Sequence, residues 1–306
     1  MSTADLRLVL LLLLVVGTFL IFATCNDTPV APNDLSINAA KGGIPGPPPG
    51  HGGGGKGESF ALDFDGSLVG TETPDADDLD FTNTFTIEGW IKPTLPTRAE
   101  PQCIVCKWGL SVSASYGIAF ESHDRLMMVT HDPTPAAGNP DNTKIYATSG
   151  VFLPGVWRHF AFVFDNGQAW LYVDGVLNSS CGGALGNCWD QNINKTVPNL
   201  NTPQVTTTKL SLGRQNSPEG FKDHEFDGLM DEFRFWNVAR TAREIAKNYN
   251  RSLNVKKAKG LVAYWRMNEG TGQFAEDGSG NGHRLQLGDD PTPDGHDPTW
   301  VSPGKP

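Results

Sequence analysis

The stretch WRHFAFVFDNGQAWLYVDG, residues 157–175, decides the fold, because it contains two alternating strands joined by a tight turn. In its first half Phe160, Phe162 and Phe164 recur at every second position, which places their rings on one face of a strand. The dipeptide Asn166-Gly167 favours a type I′ turn, whose twist matches that of an antiparallel hairpin. The segment therefore predicts a β-hairpin with one face buried in a core.

Similar short runs recur along the chain from Glu58 onward, and Gly, Pro, Asn and Asp separate them. Their length and alternation are typical of strands in an all-β domain. The predicted strands, with the hairpin included, are Ser59–Phe64, Phe85–Ile91, Gly117–Glu121, Leu126–Thr130, Trp157–Phe164, Ala169–Val173, Lys209–Leu212 and Phe233–Trp236.

One helix signal interrupts this pattern. Thr241-Ala-Arg-Glu244 has the spacing of a capping box, and Ile245, Ala246 and Tyr249 follow it, which predicts a short helix over about 241–249. Many strands with one short helix indicate an all-β sandwich or jelly roll.

Several motifs in order resemble the laminin-G-like jelly roll of the concanavalin A-like lectin/glucanase superfamily. They are Phe60–Gly66, Phe85–Pro93, Ile104–Gly109, Trp157–His159, Tyr172–Gly175, Leu210–Gly213, Phe226–Trp236, Gly260–Gly270 and Asp277–Gly282. The resemblance covers residues 58–301 and implies a two-sheet antiparallel jelly-roll sandwich. It also implies that Trp90, Trp157, Trp236 and Trp265 lie in the core. It implies no reaction, since function depends on sites carried by the fold.

The N-terminus reads as an export or anchor segment, residues 1–25. Leu8 to Thr24 is a 17-residue run without a charge, at the lower limit for a membrane span. Phe22-Ala-Thr-Cys25 resembles the signal of bacterial lipoproteins, in which the Cys is lipidated. A lipid anchor on Cys25, an uncleaved apolar helix and a cleaved signal peptide all remain open. Each of them places the following residues outside the cytoplasm, anchored in a membrane or secreted.

Residues 26–57 are expected to be a disordered linker. Nine Gly and four Pro occupy 41–57, and such a segment cannot bury enough apolar surface to offset the entropy of ordering it. The linker would hold the folded domain at a distance from the membrane.

Charge and motifs limit the functions available. The chain has a formal net charge of -10, which disfavours nucleic acid as a partner. The resemblance includes glucanases, which carry a third acid close to the pair that corresponds to Glu225 and Asp227. Leu229 and Met230 occupy that place, so we expect a non-catalytic protein.

Two sites are predicted from side-chain chemistry. Asp277, Ser279 and Asn281 offer oxygens at alternate positions between glycines, which suits a structural Ca²⁺ site. Trp189 lies in a long polar segment with Asn192 and Asn194, where an aromatic ring beside amides suits sugar binding.

The four cysteines beyond Cys25 allow three pairings. A Cys181–Cys188 disulfide is favoured because the Gly-rich segment between these residues tolerates a sharp bend. A Cys103–Cys106 bond is disfavoured, because a regular strand would hold the two Cα atoms too far apart.

These observations together favour a surface-displayed, non-catalytic binding module for a glycan or for a cell-surface or extracellular protein. The alternatives are a structural or adhesive envelope protein without a small ligand and, with less support, a glycoside hydrolase.

Overall fold

The hairpin expected at residues 157–175 is present. Strands Arg158–Asp165 and Gln168–Val173 pair antiparallel, with Asp165 opposite Gln168. Asn166 and Gly167 between them have φ angles of 49° and 86°, as a type I′ turn requires. The predicted turn residues therefore set the register of the hairpin.

The computed structural model describes residues 59–94, 101–108, 114–121, 125–132, 141–190, 195–216 and 222–305. The expected N-terminal segment, Cys25 and the Gly/Pro-rich linker lie outside these residues. None of the helices within them combines the length and the apolarity that crossing a bilayer takes.

The described residues form twenty strands, which in chain order are β1 (Ala61–Asp65), β2 (Thr71–Thr73), β3 (Thr84–Pro93), β4 (Gln102–Trp108), β5 (Ala114–Glu121), β6 (Arg125–Asp132), β7 (Asp141–Tyr146), β8 (Arg158–Asp165), β9 (Gln168–Val173), β10 (Val176–Cys181), β11 (Cys188–Asp190), β12 (Lys195–Val197), β13 (Leu210–Leu212), β14 (Gln215–Asn216), β15 (Lys222–Asp223), β16 (Asp227–Trp236), β17 (Leu261–Trp265), β18 (Phe274–Ala275), β19 (Leu285–Leu287) and β20 (Thr299–Val301). Helix α1 is Ala242–Asn248, and 3-10 turns cover Asp77–Leu79, Gly183–Leu185 and Val255–Lys257.

The strands form the expected two-sheet antiparallel sandwich. An eight-stranded sheet has the order β10-β9-β8-β3-β16-β1-β20, and β17 also pairs with β16. A ten-stranded sheet has the order β12-β11-β7-β6-β5-β4-β13-β2-β19-β18. Strands β14 and β15 form a separate two-stranded ribbon.

The core lies between the inner faces of the two sheets. Phe160, Phe162 and Phe164 of β8 are fully buried, as their alternation predicts. Phe120 of the ten-stranded sheet stacks on Phe226, with ring centroids 6.4 Å apart. The predicted core tryptophans Trp90, Trp157, Trp236 and Trp265 are all buried. Trp265 belongs to the core between the sheets, whereas Trp90 and Trp157 form a separate buried cluster with Ala61.

Helix α1 covers the outer face of the eight-stranded sheet. Its capping box is confirmed, because the Thr241 backbone N–H donates to Glu244 and the Glu244 backbone N–H donates to the Thr241 hydroxyl. Ile245 is fully buried beneath the helix, and the Trp90 indole donates a 2.9 Å hydrogen bond to the Tyr249 carbonyl. The helix is therefore fixed to the strand that contains Trp90.

A buried ion pair fixes the segment before the helix. The Glu88 side chain is 0% exposed and accepts hydrogen bonds from Arg240 Nη1 at 2.6 Å and from Trp236 Nε1 at 3.1 Å. The Arg240 guanidinium also lies 4.1 Å from the centroid of the Trp236 ring. A buried charge is tolerated only when it is paired and hydrogen-bonded, so Glu88 specifies where Arg240 must lie.

The C-terminal segment covers a second part of the same face. The Lys305 backbone N–H donates to Asp231 Oδ2 at 2.9 Å, and the Lys305 ammonium lies 5.2 Å from the Trp90 ring centroid. Burial, and then the nearby Glu232 charge, raise the pKa of Asp231 well above its ordinary value. Asp231 is only 3% exposed and is therefore closed to a ligand in solution.

Both cysteine pairs beyond Cys25 form disulfides. The predicted Cys181–Cys188 bond is confirmed, with Cα atoms 5.1 Å apart. The expectation against Cys103–Cys106 was wrong, since these residues are bonded with a Cα separation of 6.2 Å. The register shifts between Cys103 and Val105 against β5, and the extra residue of such a bulge shortens the strand.

We expect Phe162→Ala to lower the free energy of unfolding by about 3–5 kcal/mol, because it leaves a cavity between the sheets. Val205→Ala is the matched control. Val205 is 67% exposed, so its truncation should cost less than about 0.5 kcal/mol. Urea denaturation measures both. Equal midpoints for the two variants would contradict the placement of this hairpin in the core.

Candidate functional site

Strand alternation turns a defined set of side chains outward from the ten-stranded sheet. Ile118 and Phe120 of β5 belong to the core between the sheets. Their neighbours Gly117 and Ala119 therefore face the opposite side. The same alternation applies to β7, where Ile145 is in the core and Lys144 and Tyr146 face outward.

The register aligns outward residues in a row across the strands. Trp189 of β11 lies opposite Lys144 of β7, Lys144 lies opposite Val129 of β6, and Val129 lies opposite Gly117 of β5. Cys188 beside Trp189 is in the core, which confirms that Trp189 belongs to the outer face.

A charged cluster lies next to this row. Glu121 accepts hydrogen bonds from Lys144 Nζ at 3.0 Å, from the Tyr146 hydroxyl at 3.1 Å and from Arg125 at 3.3 Å. The Arg125 guanidinium lies 4.6 Å from the Tyr146 ring centroid. Burial, followed by the charge and hydrogen bond of Glu121, raises the pKa of Tyr146, so its hydroxyl stays protonated and donates.

Trp108, at the end of β4, adds a second indole to this face. Its ring contacts His131 edge to face, with centroids 5.3 Å apart. It also lies against Gly117, where an added Cβ would be 3.6 Å from Trp108 Cε3 and 3.3 Å from Val129 Cγ1. The indole therefore packs over Gly117, and an added side chain there would be tight only against Val129.

We call Trp108, Glu121, Arg125, Lys144, Tyr146 and Trp189 the outer-face cluster. Trp108 and Trp189 are half-buried, and the Arg125 side chain is 41% exposed. Four strand spacings separate β4 from β11, which corresponds to roughly 20 Å. The arrangement offers two aromatic rings at the ends of a cross-strand row and a fixed set of hydrogen-bond donors and acceptors beside that row.

Comparison with known proteins places this architecture in a family. Residues 65–246 match the Laminin_G_3 model of the concanavalin A-like lectin/glucanases superfamily. The match spans more than half of the chain. The chain belongs to the concanavalin A-like lectin/glucanase superfamily. No curated protein sequence matches it.

Solved structures of this superfamily share the fold at low identity. A candidate carbohydrate-binding protein from Bacteroides ovatus aligns with a TM-score of 0.54 at 16% identity, over 80% of this chain and 60% of that one. This chain thus spans less than two thirds of that protein's length. The CBM40 of Ruminococcus gnavus IT-sialidase, bound to α2,3-sialyllactose, aligns with a TM-score of 0.45 at 12% identity, over 63% of this chain and 97% of that one. Such identities show the fold alone.

The structure places the central residue of the predicted sugar site in a strand and not in a loop. Trp189 lies in strand β11 rather than in a long loop, because β11 pairs with β7 at the edge of the ten-stranded sheet. Asn192 and Asn194 lie outside the described residues. Trp108 and the charged residues of the outer-face cluster were missed from the sequence. The alternation of Lys144 and Tyr146 around Ile145 is the sequence signal from which part of the outer-face cluster could have been predicted.

The predicted calcium residues form a closely hydrogen-bonded turn. Asp277 Oδ1 accepts from the backbone N–H groups of Tyr264 and Ser279 at 3.0 and 2.8 Å. Its Oδ2 accepts from the Ser279 hydroxyl at 2.7 Å and from the backbone N–H groups of Gly282 and His283 at 3.0 and 3.1 Å. The carboxylate therefore joins the turn to β17.

This arrangement does not fit a calcium ion well. A hard cation needs oxygen lone pairs directed at it, but N–H and O–H donors already surround both Asp277 oxygens. The Asn281 side-chain N–H donates to the Val262 carbonyl at 2.8 Å, and the Ser279 hydroxyl shares its one hydrogen between Asp277 and this carbonyl, 2.9 Å away. Calcium binding at Asp277, Ser279 and Asn281 stays a prediction.

A second acidic group lies nearby in the sequence. Asp289, Asp294 and His296 each place one ligand atom within 4.8 Å of the others. However, Asp289 already pairs with Arg214 Nη2 at 2.5 Å and with His296 Nδ1 at 2.8 Å. Protein groups therefore already compensate the charge of Asp289.

We expect Asp277→Asn to destabilise the protein by about 1–3 kcal/mol at neutral pH, because the amide cannot accept all of these hydrogen bonds. The loss is no larger because solvent screens this half-exposed site. Burial alone would raise the pKa of Asp277, but the hydrogen bonds from Ser279 and the backbone outweigh it and lower the pKa below 3.8. The stabilisation that the ionised Asp277 carboxylate provides is therefore present above its ordinary pKa and disappears as the pH falls through its folded-state pKa.

Thermal unfolding from neutral to acidic pH, with calcium or with chelator, measures this effect. The difference in stability between the wild-type protein and the variant should close in acid, and an equal difference with calcium and with chelator would show that Asp277 acts only through the hydrogen bonds of the turn. A difference seen only with calcium would show that Asp277 acts as a metal ligand.

Proposed function

We propose that the chain is an extracytoplasmic, membrane-anchored, non-catalytic module that binds glycans on the outer face of its ten-stranded sheet. The observation that carries the proposal is the outer-face cluster, in which Trp189 and Trp108 lie at the two ends of a cross-strand row, and Lys144 of this row binds Glu121 beside it. Membership of a lectin-containing superfamily and the fold shared with a candidate carbohydrate-binding protein support it.

The aromatic residues suit the apolar part of a sugar. One face of many pyranose rings presents C–H groups, and a tryptophan offers a large flat surface against which they pack. Trp108 and Trp189 keep part of their surface exposed while their strands hold the backbone in place. A platform held by strands loses little entropy on binding, which favours affinity.

The charged residues suit the hydroxyl groups. Glu121 supplies acceptors, whereas the exposed Arg125 supplies donors, and charged groups form the stronger hydrogen bonds. Lys144 and Tyr146 hold the Glu121 carboxylate in position before a ligand arrives. Such preorganisation provides orientation, because sugar hydroxyls must match the donors and acceptors already present.

The same cluster lacks the arrangement for hydrolysis. Retaining glycosidases place two carboxyl groups about 5–5.5 Å apart across the scissile bond. Glu121 is the one acid of the outer-face cluster, and three donors already bind it. On the other sheet Glu88 and Asp231 are buried beneath helix α1 and the C-terminal segment. These contacts support binding without catalysis.

Anchoring by the N-terminal segment completes the proposal. The apolar run that ends before Cys25 and the Gly/Pro-rich linker after it would display the domain away from the membrane. The two disulfides suit an oxidising compartment outside the cytoplasm.

A glycan array followed by titration calorimetry tests binding. The full-length chain should bind at least one glycan, and Trp189→Ala and Trp108→Ala should each weaken it about tenfold, because stacking on an indole contributes on the order of 1–2 kcal/mol. Trp300→Ala is the matched control, since Trp300 is half-buried on the eight-stranded sheet. No binding to any glycan, or equal losses in all three folded variants, would contradict the proposal.

Mass spectrometry of the mature N-terminus tests the anchor. A diacylglyceryl group on Cys25 as the first residue is the expected result. Retention of Met1 would instead identify an uncleaved anchor helix, and an unmodified cleaved chain would show that the protein is released.

A further inference from the structure

A cavity of about 570 Å³ lies beside helix α1, away from the outer-face cluster. Helix α1 and the segment up to β17 form its walls. Lys247, Lys257 and Lys259 line it together with the apolar side chains of Val238, Leu253 and Ala258. Pockets of roughly 300–1,000 Å³ accommodate small organic ligands, so this volume fits one or two sugar units.

The cavity is basic although the chain is acidic. The chain carries a formal net charge of -10, but residues 245–259 contain five cations and no acid. These cations are Lys247, Arg251, Lys256, Lys257 and Lys259. A local concentration of one sign of charge attracts ligands of the opposite sign, most effectively within a concave surface.

Neighbouring protein groups compensate this positive charge only in part. Arg240 also lines the cavity, but it pairs with the buried Glu88 at 2.6 Å. The Glu244 carboxylate accepts from Thr241 at 2.8 and 2.9 Å in the capping box and supplies one negative charge against the three lysines. Among the residues that the structure describes, no ion pair involves Lys247, Lys257 or Lys259.

We propose that this cavity binds an anionic sugar, such as a uronate unit of an acidic polysaccharide. The lysines would receive the carboxylate, while Val238 and Leu253 would pack against the apolar face of the ring. The apolar walls favour a sugar over a bare inorganic anion, which could use only the charges. This site is separate from the outer-face cluster and does not depend on glycan binding there.

Titration calorimetry of the full-length chain with trigalacturonate tests the proposal. Neutral galactotriose and inorganic phosphate are the comparison ligands. Trigalacturonate should bind more tightly than either one. Its affinity should fall as NaCl is raised from about 0.05 M to about 0.5 M, because salt screens exposed charges.

Variants locate the site. The double variant Lys257→Gln/Lys259→Gln should weaken trigalacturonate binding at least about fivefold, since each exposed charge contributes modestly. Lys256→Gln is the matched control, because Lys256 is exposed on the same turn but does not line the cavity. It should change the affinity less than about twofold.

Three results would overturn the proposal: no binding of trigalacturonate, equal affinity for inorganic phosphate, or equal losses in the control and the double variant. Trp189→Ala separates this site from the glycan site. It should leave trigalacturonate binding unchanged, whereas a loss there would place the acidic sugar on the outer-face cluster and also overturn the proposal.

Discussion

The burial of the inner faces of the two sheets against each other is the interaction on which the rest of the structure depends. Phe160, Phe162 and Phe164 of one sheet and Ile118 and Phe120 of the other lie in this common core. Because side chains alternate along a strand, this burial also fixes which residues face outward. A change of one residue in register would exchange the two sets, so the core that stabilises the fold also positions the outer-face cluster.

The outer faces of the two sheets are covered to different degrees. On the eight-stranded sheet, Tyr249 beyond helix α1 stacks on Trp90, and Lys305 lies over the same ring. Glu88 and Asp231 are closed beneath these segments. On the ten-stranded sheet, Arg125 remains 41% exposed and two indoles keep accessible surface. We therefore propose ligand binding on the ten-stranded sheet and, for anionic sugars, in the cavity beside the helix.

The sequence predicted what depends on local patterns. The hairpin, the capping box, the burial of four tryptophans and the Cys181–Cys188 bond follow from periodicity, spacing and resemblance, and all are present. Contacts between distant segments could not be predicted in the same way. The bulge that allows the Cys103–Cys106 bond depends on pairing with β5, and the link between Glu121 and Lys144 depends on the order of β5, β6 and β7. Trp189 illustrates the limit, since its residue type suggested binding but only pairing with β7 shows its face.

The central claim is that a glycan binds across the outer face of the ten-stranded sheet. The indole N–H resonances of the chain, observed by NMR during titration with a glycan that binds, test it most directly, because each tryptophan reports on its own surroundings. We predict that the Trp108 and Trp189 resonances shift while those of the buried Trp90, Trp236 and Trp265 remain unchanged. Shifts confined to tryptophans of the eight-stranded sheet would contradict it.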